Sequence, residues 1–442
     1  MTVSMPTQSI FYPRVALQAT IPESASANAS VQLGRVTVEL KPGVRRRGPA
    51  ILRFGLNPGV EIKIVGLGAF PRLKGRVTVD GFHPATAAMP WHLRNGVVTL
   101  RVRVLGDLIS VARPRRVQYI DFVLINFFGC YGNRLVTRET SRGWQRIEQS
   151  LGPFTLVLDE LAHADSHMKQ LALEGGHAVT HAARLMRTDG SSLSLKEGIG
   201  ALDALGWYLS FARGAHTHPM FVYAPSSTGR GCYRDWSVSR CDPWDSRRSW
   251  FDPKWSAELF IDALPGFVQA YKQHGGALRV ALDWYFHAIA ADVVDARTIF
   301  AVAGLEVIAT VIVAGSFSGA AVSSFEKSYK KAAQKIGAML AAMGTNTAIP
   351  KSLRRLTAWA KANQVDGAWA LTRLRNIVHA NQLSRVVGHG RKIRTEASEL
   401  ALFWFEAAVL HLSNVPFSRL SGRKAPSGGR WSVWAGRRRK SH

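Results

Sequence analysis

Along the first third of this 442-residue chain, branched and apolar residues alternate with polar ones or cluster in short runs between Gly, Pro and Asn. Residues Val31–Leu40, Arg76–Val79, Val97–Val104 and Val117–Ile125 carry the pattern. A repeat of two puts alternate side chains on one face of a pleated strand, so these runs predict strands. Strand after strand with little helix predicts a sandwich or a curled antiparallel sheet over residues 1 to about 160. The basic runs Arg45-Arg46-Arg47 and Arg113-Pro114-Arg115-Arg116 fall where turns are expected. From about 155 to 225 the pattern is mixed. Phe154–Leu158 is strand-like, His181–Leu193 reads as a hairpin around Asp189-Gly190, Leu195–Ala212 has helical periodicity, and Met220–Tyr223 is a further strand.

After Asp252-Pro253 the apolar repeat lengthens to that of helices. The expected helices are Trp255–Gln273, broken at Pro265-Gly266, then Ala277–Ala291, Ala296 to about Val313, Ser324–Met343, Ser352–Ala362, Asp366–Val386 and Thr395–Asn414. The fold class is therefore α+β: a β-rich, sandwich-like N-terminal domain followed by a C-terminal all-α helical bundle. The expected divisions are a β-rich domain over 1–225, a Trp/Arg-rich connecting loop over 226–256, the bundle over 257–414 and a basic tail over 415–442.

Composition adds a partner class. With 47% hydrophobic and 10% aromatic residues the chain is globular, while 57 Lys and Arg against 30 Asp and Glu give a net charge of +27 and a pI near 10.7. Such an excess favours a polyanion, either nucleic acid or an anionic membrane surface. Three cysteines, Cys130, Cys232 and Cys241, are too few and too scattered for a disulfide framework. With no charged-then-apolar opening in residues 1–30, a cytoplasmic protein is expected. The long apolar stretch Ile299–Val322 contains Glu306 and a Gly315-Ser316-Phe317-Ser318-Gly319 break, which suits a buried core helix, so no membrane is expected.

Three other groupings bear on chemistry. Two His-x3-His pairs, His163/His167 and His177/His181, lie near His216-Thr217-His218, but a strand would hold the second pair too far apart for one ion, and no metal or other cofactor is expected. Trp236, Trp244, Trp250 and Trp255 stand among Arg234, Arg240, Arg247 and Arg248, a mixture that either stacks bases or plugs the joint between two domains. The tail holds Arg419, Arg423, Lys424, Arg430, Arg437, Arg438, Arg439 and Lys440 with no acid from Val415 on, and is either a nucleic-acid-binding extension or a frayed soluble end.

The most specific stretch is Leu371-Thr372-Arg373-Leu374-Arg375-Asn376-Ile377-Val378-His379-Ala380. Asp366-Gly367 can cap its start, and Leu371, Leu374 and Val378 recur at the steps of a buried helical stripe. At about 100° per residue, Arg375 and His379 lie about 40° apart on one face, with Arg373 about 120° from His379. A guanidinium that grips phosphate oxygens is thus placed beside an imidazole that exchanges protons near neutral pH.

The order Ala281-Leu282-Asp283-Trp284-Tyr285-Phe286, Gly304-Leu305-Glu306-Val307-Ile308, Lys335-Ile336-Gly337, Leu371–His379 and Phe403-Trp404-Phe405-Glu406 resembles the HEPN superfamily. The closest likeness is to larger bacterial, ApeA-like members that join an N-terminal β domain to a C-terminal HEPN bundle. The resemblance implies a metal-independent RNA endonuclease of a phage-defence, abortive-infection or toxin system, acting as a homodimer through its helical domain, with RNA as substrate and an unidentified protein trigger or antitoxin as a further partner. An inactive HEPN module that senses nucleic acid or protein is the alternative. Carried over, Arg375 and Asn376 match the Arg-polar start of the family motif, His379 its end, and Glu306 an acidic position that orients the arginine. Only three residues separate Arg375 from His379, fewer than the family pattern; Arg373 restores the spacing but lacks the following Asn.

Overall fold

The computed structural model describes the strands between residues 30 and 104, then 112–129, 132–137, 142–161, 163–235, 241–245, 249–251, 257–315, 318–379 and 390–416. For the strands before residue 105, for 134–137, 142–145 and 257, and for His379, the description is of the backbone. The chain forms two compact units, one made of residues up to Gly206 with Thr217–Ser246, the other of Trp207–His216 with the chain from Arg247. Antiparallel sheets come first and helices follow, as the α+β reading expects.

The first unit opens with β1 (Ser30–Lys41), β2 (Val44–Arg53), β3 (Gly59–Val65), β4 (Leu73–Val79), β5 (Ala85–Met89), β6 (Trp91–Arg94) and β7 (Val97–Val104), in the order β3-β2-β1-β4-β5-β7-β6. A further β3–β7 pairing, from Val60 opposite Val102 to Val65 opposite Val97, closes this sheet on itself. The pairing covers the outer edge of β3, which an open antiparallel sheet would present, and leaves β6 joined to β7 alone. The expectation that Arg45-Arg46-Arg47 form a turn is corrected. β1 runs to Lys41 and β2 starts at Val44, so the link is too short to hold them, and they pair with Glu39, Val38 and Thr37.

A second sheet follows: β9 (Ile120–Ile125), β10 (Arg134–Thr137), β11 (Arg142–Leu151), β12 (Phe154–Glu160), β13 (Val179–Arg187), β15 (Met220–Pro225) and β16 (Cys232–Asp235) lie in the order β10-β11-β12-β13-β9-β15-β16. Two short strands, β8 (Arg116–Val117) and β14 (Leu193–Ser194), pair separately. The expected hairpin over His181–Leu193 is therefore absent. Asp189-Gly190 does turn the chain, with Gly190 at φ 73, but both edges of β13 are already taken by β12 and β9. Every residue of β9 is buried, including Asp121. Such a central strand must neutralise its acid, and Asp121 accepts two hydrogen bonds from Arg184, at 2.7 and 2.8 Å. Burial pushes the Asp121 carboxyl up, against the opposing pull of Arg184. Arg146 and Asp159 make a second two-point pair, at 2.6 and 2.7 Å, with side chains 7% and 1% exposed. Helix α1 (Ala164–Glu174) and the first part of α2 (Leu195–Arg213) complete the unit.

The helical unit holds α3 (Ala257–Ala290), α4 (Val294–Ala314), α5 (Gly319–Ser328), α6 (Ala332–Ala342), α7 (Arg354–Ala362), α8 (Gly367–His379) and α9 (Gly390–Leu412). Two expectations change. α3 continues through Pro265 and leaves helical geometry at His274 (φ −128°, ψ 19°), beside Gly275-Gly276. Gly266 has a packing role instead: a Cβ there would lie 2.1 Å from the Ser413 carbonyl oxygen, so the end of α9 rests directly on it. The single helix expected over Ser324–Met343 is two, because Tyr329 leaves helical geometry (φ −124°, ψ 84°) and Gln334 Oε1 accepts from the Lys331 backbone N–H at 3.1 Å to start α6.

Helix α4 is long and apolar enough to cross a membrane by length and composition, yet half of its most apolar window is buried inside the protein. It packs against α3, α5, α6, α8 and α9 and ends at Gly315 in left-handed geometry. A core helix accounts for that composition. Gly266→Ala is expected to destabilise the helical unit by about 1–3 kcal/mol, because the clash is with backbone that cannot rotate away. The midpoint of urea unfolding, followed by helical circular dichroism, measures it.

Candidate functional site

Helix α8 forms where the apolar stripe predicts it. Leu371 and Leu374 are buried at 0% and 2% exposure, and the Asp366 carboxylate caps the start by accepting from the Trp369 backbone N–H at 2.8 Å. The other Asp366 oxygen accepts from the Thr347 hydroxyl at 2.9 Å, fixing the chain before the helix. Packing this stripe on the core turns Arg375 toward α4, where its guanidinium donates to Glu306. A second guanidinium nitrogen donates to Asn376 Oδ1 at 3.2 Å. Lys335 on α6 approaches the other Glu306 oxygen at 3.7 Å.

One carboxylate on α4 thus stands between two cations, one from α6 and one from α8. The side chains of Arg375, Glu306 and Lys335 are 24%, 25% and 15% exposed, so the group is held by the protein and still reached by solvent. With one acid for two bases the trio carries a net positive charge, which suits a phosphate oxygen arriving at the open side. Arg375, Asn376 and Glu306 are brought together. Arg373 is not: it is exposed and reaches the Asn363 carbonyl oxygen at 3.5 Å. The His379 side chain lies outside the described residues, and its backbone closes α8 one turn beyond Arg375. Arg423, Lys424, Arg430, Arg437, Arg438 and Arg439 also lie outside them.

Nothing in the motif marks Lys335 as a site residue. Its signal in the sequence is faint, a lysine four residues after Lys331 on a helix whose register depends on the break at Tyr329.

The remaining sequence candidates resolve into packing. His167 Nδ1 lies 3.3 Å from the Val179 carbonyl oxygen, His177 Nε2 lies 3.2 Å from that of Cys241, and the His181 ring packs edge-on against Phe127. Among the described residues no three His, Cys, Asp or Glu side chains converge as metal ligands would. Trp244 packs edge-on against Phe128, and Trp250, 1% exposed, lies among Tyr208, Phe211 and Phe251. Both tryptophans pack on residues of their own units, Trp250 buried and Trp244 half-buried. Trp236, Trp255, Arg240, Arg247 and Arg248 lie outside the described residues.

Fold and site together define an α+β protein whose helical unit carries a solvent-reached Arg–Glu–Lys group. Residues 112–247 match the family model of the YopA central domain, and residues 271–415 that of the YopA C-terminal domain. The first match covers the second sheet with its two helices; the second begins inside α3 and runs past α9. The chain is also 26% identical over 288 residues to the SPbeta prophage-derived uncharacterized protein YopA of Bacillus subtilis (strain 168), covering 62% of each chain. It therefore spans less than two thirds of that relative's length. No solved structure matches. Neither matching model is a HEPN model, so the HEPN resemblance rests on the quoted residues alone.

Proposed function

We propose that the helical unit is a HEPN-type RNA endonuclease that cuts without a metal ion. The supporting observation is the Arg375–Glu306 ion pair, which fixes the guanidinium beside Asn376 on the turn before His379. In the proposed reaction His379 takes the proton of a ribose 2′-hydroxyl, and the 2′-oxygen bonds to the adjacent phosphorus while the bond from phosphorus to the 5′-oxygen breaks. The 5′-oxygen leaves with a proton from solvent or from the imidazolium of a second copy, so a 2′,3′-cyclic phosphate remains. Arg375 steadies the charge on the phosphorane, Asn376 and Glu306 hold Arg375 in place, and the need for a 2′-hydroxyl restricts cleavage to RNA. Two copies meeting through their helical units bring two such sites together. The proposed setting is phage defence, abortive infection or toxin action in the cytoplasm, and the prophage origin in the relative's name is a loose support for its link to phage.

The test is incubation of purified protein with total RNA in chelator, wild type beside His379→Ala, followed by analysis of fragment ends. Cyclic-phosphate ends with wild type alone are the expected outcome, with His379→Ala at least a hundredfold slower. Intact RNA in both overturns the proposal. One observation favours a second reading, an inactive HEPN binding module: Glu306 and Asn376 both engage the guanidinium that a phosphate needs. RNA bound in a salt-dependent way but left uncut is the result that reading expects.

A further inference from the structure

Beside Glu306 the α5–α6 corner carries a second, unassigned concentration of charge and aromatic surface. Between Gly319 and Met343 stand Lys327, Lys330, Lys331 and Lys335 with Glu326 as the only acid. Lys335 is engaged by Glu306, whereas among the described residues Lys327 and Lys330 are exposed and have no carboxylate partner. Aromatic rings interleave with these lysines. The Tyr329 ring lies 5.1 Å from that of Phe325, the Lys335 ammonium 5.9 Å from the Phe325 ring, and the Lys331 ammonium 5.3 Å from the ring of Trp369 on α8. Phe325 is buried and anchors the corner, while Tyr329 and Trp369 are half-buried, each with part of its surface in solvent.

The corner exists because the chain leaves helical geometry at Tyr329. Had α5 and α6 been one helix, Tyr329, Lys330 and Lys331 would point in three directions about 100° apart. The break sets them instead at the head of α6, which packs against α8, and five residues of α8 lie between Trp369 and Arg375. Lysines that hold phosphates beside rings that accept stacked bases are the two requirements for gripping a single strand without reading its sequence. Duplex nucleic acid, whose bases are already stacked, would use the lysines and leave the rings idle.

We propose that Lys327, Lys330, Lys331, Tyr329 and Trp369 form a binding track for single-stranded RNA leading to the Arg375–Glu306 group. The assignment deepens the ribonuclease reading and rests on it for the identity of the strand as RNA. The track grips the substrate's flanking nucleotides: the lysines take phosphates, and Tyr329 and Trp369 take base faces.

The test measures binding of a fluorescent single-stranded RNA of about a dozen nucleotides by anisotropy, in full-length His379→Ala so that no strand is cut. In that background Lys327→Ala, Lys330→Ala and Lys331→Ala together are expected to weaken binding more than tenfold at low salt. They also lower the slope of log affinity against log salt by about 2, since each lysine accounts for roughly 0.7 on a single strand. Tyr329→Ala is expected to weaken the single strand at least fivefold, with little effect on duplex RNA of the same length, and Tyr329→Phe to restore binding. Circular dichroism and thermal melting confirm that each variant folds.

An unchanged salt slope in the triple variant overturns the track. So does an equal loss for single strand and duplex with Tyr329→Ala, which makes the corner a general polyanion patch. The two proposals fail separately. Wild type that binds through the track but leaves total RNA intact ends the nuclease reading alone, whereas a triple variant that binds and cuts as wild type does ends the track alone.

Discussion

Asp159→Ala is expected to destabilise the first unit by about 3–5 kcal/mol, enough to unfold a large share of molecules at moderate temperature. The reason is burial. Asp159 is 0% and Arg146 5% exposed, and they meet through two hydrogen bonds, so the substitution leaves a guanidinium charge inside the sheet without that carboxylate. Cutting one partner costs more than the pair contributes, because the isolated charge keeps its desolvation penalty. Arg146→Met combined with Asp159→Leu is therefore expected to recover most of the loss. Urea unfolding monitored by near-ultraviolet circular dichroism reads both variants. Asp189→Ala is the control: Arg187 and Ser191 hold the Asp189 carboxyl well below the usual carboxylate range, but this pair sits on the surface. Water already screens it, and its loss is expected to leave the unfolding midpoint unmoved. A midpoint for Asp159→Ala equal to that of the control would contradict the argument.

The same contrast explains which parts of the fold are legible in the sequence. Strands with alternating residues and helices with apolar stripes follow from local spacing, and Leu195–Arg213 and Arg354–Ala362 lie within two residues of their expected spans. What local spacing does not encode is the competition for partners. Asp189-Gly190 has the chemistry of a hairpin turn, but β13 has no free edge, and that follows only once β9 and β12 are placed beside it. Pro265-Gly266 has the chemistry of a helix break, yet the glycine answers to Ser413, nearly 150 residues away in sequence. The break at Tyr329 has neither Gly nor Pro to announce it.

The candidate site divides in the same way. Arg375, Asn376 and His379 are legible because one helix carries them. Glu306 is legible only through the family resemblance, and Lys335 only in the tertiary fold, where α6 and α8 converge on the carboxylate of α4. Arg373, which satisfies the motif by count, is excluded from the group by the helical angle that separates it from Arg375. Residue spacing counts positions along the chain; chemistry depends on direction around the helix.

Glu306→Gln is expected to move two properties of the protein in opposite directions. The amide keeps the volume of the side chain and one acceptor, but it removes the charge that draws Arg375 and Lys335 together. RNA affinity should therefore rise, by about fivefold if the lost repulsion between carboxylate and phosphate is about 1 kcal/mol at a solvent-reached site. Cleavage should fall, by about a hundredfold, because a guanidinium displaced by roughly 1 Å no longer meets the charge that develops on the phosphorane. Binding is read by anisotropy at fixed salt, and cleavage by single-turnover kinetics with saturating protein, so tighter binding cannot conceal a slower chemical step. If Glu306 only anchors the helices, affinity and rate fall together with the melting temperature. If Arg375 works as a binding residue alone, affinity rises and no cleavage exists to lose. Tighter binding with slower cutting and an unchanged melting temperature is the combination that only an orienting carboxylate produces.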